Sequence, residues 1–192
     1  MLLRPRLLGT GMALLAVAGA VAAFAATAKP AAKPAGDKAA RIARGQYLTT
    51  VMGCNDCHTP GTFYGSPNMA HQLAGSEIGW KGPWGMSFAR NLTPDTETGL
   101  GEWSEADIFK TLKTGNKPDG KQLLPPMPWP NFIHLTDADA HAIAAYLLSL
   151  PPVKHKVPDA LPPGTDYAGP VIVFPAPGAW DAPAGPPEGM NK

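Results

Sequence analysis

The stretch Cys54-Asn55-Asp56-Cys57-His58 holds both cysteines of the chain and one of its five histidines. Two thiols two residues apart, with histidine directly after the second, form the attachment signature of c-type haem. The spacing has a physical reason. The thiols reach the two vinyl groups of one porphyrin as thioethers, and the imidazole then swings beneath the iron. Two other chemistries use this residue set. A dithiol redox motif belongs in a βαβ context, which the pattern of this chain lacks. A zinc site needs two further ligands, and His71, His134, His141 and His155 form no H-x3–5-H pair.

An iron with one protein histidine has a sixth position, and methionine sulfur there suits electron transfer and raises the potential. The segment "LLPPMPWP" (Leu123 to Pro130) brackets Met127 with prolines and places Trp129 two residues on. Each proline fixes φ and pushes the residue before it toward extended geometry, so the loop is stiffened around one flexible thioether. Such a loop presents a weak ligand without a large ordering cost, which makes Met127 the candidate sixth ligand. Met52 is too near the anchor to cross to the opposite face. Met69 and Met86, in Gly-rich loop, suit gap-filling. A histidine, or no protein ligand at all, stays open at this point.

Three helices are expected to position these groups. The first runs over Ala39 to Met52, with Ala43, Tyr47, Leu48 and Val51 on one face. Gly45 inside it costs about 1 kcal/mol against alanine, which makes sense where another helix approaches closely. The second is capped by Ser104 with Asp107 at the box position, carries Ala106, Phe109 and Leu112 on its apolar face, and stops at Gly115. The third is capped by Thr136 with Asp139 three residues on. Ile143, Tyr146, Leu147 and Leu150 recur at helical spacing before Pro151-Pro152 ends it. Residues 59–103, rich in Gly, Pro and aromatics, are expected as ordered loops. The expected fold class is all-α, about three main helices around a covalently bound haem, with Gly/Pro-rich loops and an extended C-terminal tail. So few helices give a small protein-only core for 192 residues, as if something else fills the middle.

The flanks divide as follows. Residues 1–28 have the form of a cleavable export signal, with Arg4 and Arg6 before an apolar run from Leu7 to Phe24 and small-x-small sites at Ala23-Phe24-Ala25 and Ala26-Thr27-Ala28. An uncleaved membrane anchor is the alternative. Residues 29–38 are an Ala/Pro/Lys linker, residues 39–152 the haem domain, and residues 153–192 a Pro-rich tail that lies along the domain as a strap or is disordered at its end. The formal net charge of +1 gives no reason to expect a nucleic-acid partner or an anionic membrane surface. The expected location is the periplasm, with membrane contact only through an uncleaved N-terminus or a membrane-bound partner.

In order along the chain stand "ARGQYLTT", "CNDCHT", "FARNLTPDTETGLGEWSEADIFKTLKTG", "PDGKQLLPPMPWPNF" and "LTDADAHAIAAYLLSLPPV", spanning roughly residues 43–153. On these the sequence resembles the class I c-type cytochromes. More narrowly, it resembles the cytochrome domains of the electron-transfer subunits of membrane-bound alcohol and gluconate dehydrogenases. The resemblance implies Cys54 and Cys57 as thioether anchors, His58 and Met127 as axial iron ligands, and packing of Gly45, Tyr47 and Leu48 against Tyr146 and Leu147. It makes Trp80, Arg90 and Asn91 candidates for the haem propionates or for loop ordering. Those subunits usually carry several C-x-x-C-H motifs and this chain has one, so one haem c per chain is expected and no multi-haem wire.

The implied activity is one-electron carriage between redox proteins, from a dehydrogenase to a respiratory acceptor, with no acid–base catalysis and no enzyme activity of its own. Two other readings stand beside it: a haem enzyme or gas- or peroxide-reactive protein with an open sixth position, and a non-catalytic haem subunit of a larger oxidoreductase. Lys110, Lys113, Lys117 and Lys121 flank the approach to the Met127 loop, where a basic rim would steer an acidic partner and a solvated helix face is the plain alternative.

Overall fold

Acid at the start and alanines through the first turns favour helix α1, Gly36–Val51, which begins with Asp37 near the positive end of its dipole. The computed structural model describes residues 36–175. The expected export signal, most of the linker and the end of the tail therefore lie outside the described residues. Among the described residues no helix is long and apolar enough to cross a membrane.

The face of α1 that is buried differs from the expected one. Gly45, Leu48 and Thr49 are buried and Ile42 and Met52 are half-buried, whereas Ala43, Tyr47 and Val51 face solvent. The tight crossing with α5 (Asp137–Leu147) decides this. A Cβ on Gly45 would overlap the Ala142 carbonyl oxygen and stand 2.7 Å from Tyr146 Cβ, so the backbones meet where only glycine fits. Tyr47 instead lies beneath the Arg44 guanidinium, 5.5 Å from ring centroid to Cζ.

Helix α3 (Glu105–Thr114) has the expected ends: the Ser104 and Asp107 side chains cap each other's backbone, and Gly115 closes it in the left-handed region. Its buried residues are Ile108, Thr111 and Leu112, while Ala106 is exposed. At α5 the Thr136 hydroxyl caps the Asp139 N–H, but the Asp139 carboxylate turns to Arg44 Nε at 2.8 Å instead of completing a box. Ile143, Tyr146 and Leu147 are buried as expected, together with Ala140, Ala142, Ala144 and Ala145. Arg41 and His141 both reach Glu105, tying α1 and α5 to α3, and the His141 ring stacks on Phe109 at 4.3 Å. The main apolar cluster lies among these three helices. Three main helices around one apolar cluster are the arrangement the sequence led us to expect.

A small sheet is added to it. Strands β1 (Gly79–Gly82) and β2 (Gly85–Phe88) form a tight antiparallel hairpin inside the region expected as loop. Their sequences, GWKG and GMSF, are too short and glycine-rich for an alternating pattern to register. The "VIVF" run of the tail supplies β3 (Val171–Val173), which pairs parallel with β1 on the other edge. Behind the sheet Met86, Phe88 and Val157 form a second apolar cluster, closed by Leu161, Tyr167 and Val171. The segment 153–175 thus runs along the domain and ends as a strand.

Candidate functional site

The C-x-x-C-H stretch is itself a helix, α2, Cys54–His58. Gly53, at φ 69°, turns the chain straight out of α1 into it, a conformation costly for any residue with a Cβ. One short turn therefore carries Cys54, Cys57 and His58 directly off the end of the helix that packs on α5. Both thiols are free and half-buried. Burial pushes the Cys54 thiol up to about 11, and Cys57 is raised for the same reason, so both rest as neutral thiols. Cys54 packs on the main helical cluster.

His58 is 7% exposed. Its Nδ1 lies 2.7 Å from the Arg90 carbonyl oxygen, which accepts the ring N–H and so fixes the tautomer with the lone pair on Nε2. Nε2 has no hydrogen-bond partner among the described residues. Burial lowers the pKa of the ring, opposed by the Arg90 carbonyl, so it stays neutral. The backbone around it is also held. The His58 carbonyl accepts from Gly75 N at 2.7 Å. Thr59, also buried, donates its hydroxyl to Asn55 Oδ1 and accepts from Leu73 N, each at 3.0 Å. A neutral imidazole with a free, oriented Nε2, beside two protonated thiols on one helical turn, fits a covalently attached haem.

Met127 is half-buried and packs on the same cluster as Cys54. Its loop is tied at Pro125, whose carbonyl accepts from the Ser87 hydroxyl, and by a turn in which Met127 N–H donates to Leu124 O at 3.2 Å. Trp129 opens α4 (Trp129–Phe132), and its ring covers Gly115 at the end of α3. The other methionines are differently employed: Met86 is 2% exposed in the second cluster, and Met69 is 59% exposed.

The structure does not bring Trp80, Arg90 and Asn91 together through their side chains. Trp80 lies on the sheet, edge-on to Phe63 at 5.2 Å and tilted against Phe174. The Arg90 guanidinium donates to the tail at Pro158 O and Asp159 Oδ1, both at 2.9 Å. Asn91, buried to 1% exposure, donates to Val153 O at 2.8 Å and accepts from the N–H and hydroxyl of Thr93. Sequence reasoning missed Thr93 and His155, the partners on which this junction rests. Nothing in the sequence marks this role, because the bonds from Thr93 to Val153 and from His155 to Thr98 join segments some sixty residues apart. Of the four lysines near the Met127 loop, Lys113 is spent on Leu135 O and Asp137, and Lys117 and Lys121 share Asp119.

A family model described as Cytochrome c matches residues 42–151. A cytochrome c subunit of a quinone alcohol dehydrogenase from Gluconobacter oxydans is 37% identical over 123 residues, covering 62% of this chain and 24% of that protein. A fructose dehydrogenase cytochrome subunit from Gluconobacter japonicus is 38% identical, over 56% of this chain and 22% of its own length. A nicotinate dehydrogenase subunit from Pseudomonas putida is 36% identical, over 62% of this chain and 9% of its own length. The chain thus spans about a quarter or less of the length of these relatives.

Proposed function

The chain belongs to the cytochrome c family, and on that premise we propose that it is an exported carrier with a single haem c, passing one electron at a time from a dehydrogenase to a respiratory acceptor. The observation that carries this reading is His58: buried, neutral, its Nδ1 committed to the Arg90 carbonyl and its Nε2 without a hydrogen-bond partner among the described residues, directly after the second of two thiols. Haem c, when bound, supplies reversible one-electron chemistry between Fe(II) and Fe(III). Cys54 and Cys57 would anchor it as thioethers, and His58 and Met127 would hold its iron. Met127 is preferred because it packs on the same apolar cluster as Cys54, whereas Met86 is sealed behind the sheet and Met69 faces solvent.

Outer-sphere transfer requires the protein to hold its ligands still through the change of charge and to exclude water from them. The fixed tautomer of His58 and the tied Met127 loop serve the first requirement. The helical cluster serves the second. The names of the relatives favour a dehydrogenase as electron donor, whether this chain is met in solution or resides as a non-catalytic subunit of the complex. Co-purification from a membrane fraction separates these two forms.

The test is a redox titration of the protein matured with haem, followed by carbon monoxide on the reduced form. A carrier gives a reversible one-electron wave and resists carbon monoxide. Fast, complete binding would assign an open iron site and a haem enzyme or sensor instead.

A further inference from the structure

The tail segment 153–159 grips, from outside, the pieces of chain that touch His58. Arg90, whose carbonyl accepts the His58 ring N–H at 2.7 Å, lies in neither helix nor strand. Its backbone neighbours are tied on the inner side, Ala89 O by Ser76 N and Leu92 N by Leu73 O. The outer side is tied by side chains to the tail. Arg90 Nη1 donates to Val157 O, Pro158 O and Asp159 Oδ1 at 3.3, 2.9 and 2.9 Å. The next residue, Asn91, holds Val153 O at 2.8 Å and Thr98 Oγ1 at 3.0 Å, and Thr93 Oγ1 accepts from Val153 N at 3.1 Å. Val157, 1% exposed between Met86 and Phe88, pins this length of tail to the sheet. His155 completes the grip: its Nδ1 lies 2.9 Å from the carbonyl of Ala74, next to the Gly75 whose N–H holds the His58 carbonyl.

We propose that this segment is a positioning element for the iron ligand: by holding the Arg90–Asn91 junction it keeps the Arg90 carbonyl on His58 Nδ1, and so sets the reduction potential. It rests on the reading of His58 as axial ligand. The hydrogen bond on the distal ring nitrogen makes a metal-bound imidazole more basic. A more basic ligand favours Fe(III), and hydrogen bonding behind the ligand is one of the protein's levers on haem potential. Loosening the junction weakens the donor and favours Fe(II), so the potential rises. Arg90 and Asn91 act through His58 and touch no reacting atom themselves.

The experiment compares holoproteins carrying Arg90→Ala, Asn91→Ala and, as control, Tyr167→Phe. The Tyr167 hydroxyl ties the tail to Glu77 O at 2.8 Å, remote in sequence from the Arg90–Asn91 junction. Half of the Arg90 side chain is exposed, so Arg90→Ala is expected to fold even where the buried Asn91→Ala does not. Loss of a hydrogen bond behind a metal ligand acts on the order of tenfold. Each junction variant is therefore expected to shift the reduced-to-oxidised ratio about tenfold toward reduced, about 59 mV upward, and to speed solvent exchange of the His58 Nδ1 proton in NMR of the reduced protein. Tyr167→Phe is expected to move neither. Unchanged potential and exchange in a folded Arg90→Ala protein would overturn the proposal while leaving His58 as ligand. A His58→Ala protein with an unaltered low-spin spectrum would instead remove the underlying reading, and the proposal with it.

Discussion

The two apolar clusters of this molecule are built by different means. Among α1, α3 and α5 the burial is continuous and the helices meet through side-chain packing, at one point so closely that Gly45 touches the α5 backbone. In the cluster behind the sheet the buried apolar residues are Met86, Phe88 and Val157, and the tail is clasped there by side chains bonded to backbone, through Arg90, Asn91, Thr93 and His155. The first half carries Cys54 and Met127 and depends on shape. The second stands behind His58 and depends on satisfied polar groups. The proposed ligands His58 and Met127 would thus be supported on one side by a hydrogen-bonded clasp and on the other by packing.

That contrast can be broken from either side. The largest effect is expected from Gly45→Leu, which forces apart helices already in contact. Overpacking of this kind costs about 3 kcal/mol, and thermal unfolding should show the whole helical half lose stability together. Thr93→Val comes next. It removes the acceptor of the half-buried Val153 N–H and the donor to the buried Asn91 Oδ1, for about 2 kcal/mol by denaturant melting. Val157→Ala deletes two methyl groups from the smaller cluster, about 1.5 to 2 kcal/mol. In hydrogen exchange its opening should appear first in β3 and the tail, with α1 and α5 still protected; equal loss in both halves would deny that they are separately held.

The smallest effect concerns the surface pair Arg44–Asp139, which joins α1 to the start of α5 at 2.8 Å. The Arg44 guanidinium holds the Asp139 carboxyl below its usual range, so the pair stabilises the fold above the ordinary carboxylate pKa and that contribution is lost as pH falls through the lowered one. Both side chains are partly exposed and screened. Denaturant midpoints of wild type and Arg44→Gln should differ slightly at neutral pH and converge in acid. A gap that persists in acid would show that Arg44 acts by packing on Tyr47 instead.

The same contrast explains what the sequence discloses. α3 and α5 announce themselves through Ser104, Gly115 and Thr136, because caps are local in sequence, and Gly45 signals the close crossing. The face of α1 misleads: Tyr47 and Val51 have the right spacing and hydrophobicity, yet the crossing at Gly45 rotates Leu48 and Thr49 inward. The hairpin and the clasp leave little trace. Four-residue strands with glycine at their ends carry no alternation, and the partners of Asn91 lie at Val153 and His155, a pairing that only tertiary structure brings about. Cys54, Cys57 and His58 are legible because the attachment signature is a consecutive stretch, and Met127 because prolines bracket it. The support behind them is distributed along the chain and is not.

If His58 and Met127 hold one iron between the two halves, the absorption spectrum of the oxidised, haem-matured protein will show it, wild type beside Met127→Ala. A methionine-to-Fe(III) charge-transfer band is expected in the wild type and its loss in the variant, with the thioether-bound haem retained through Cys54 and Cys57. A band that survives in Met127→Ala would contradict this ligand set and move the sixth position to another methionine.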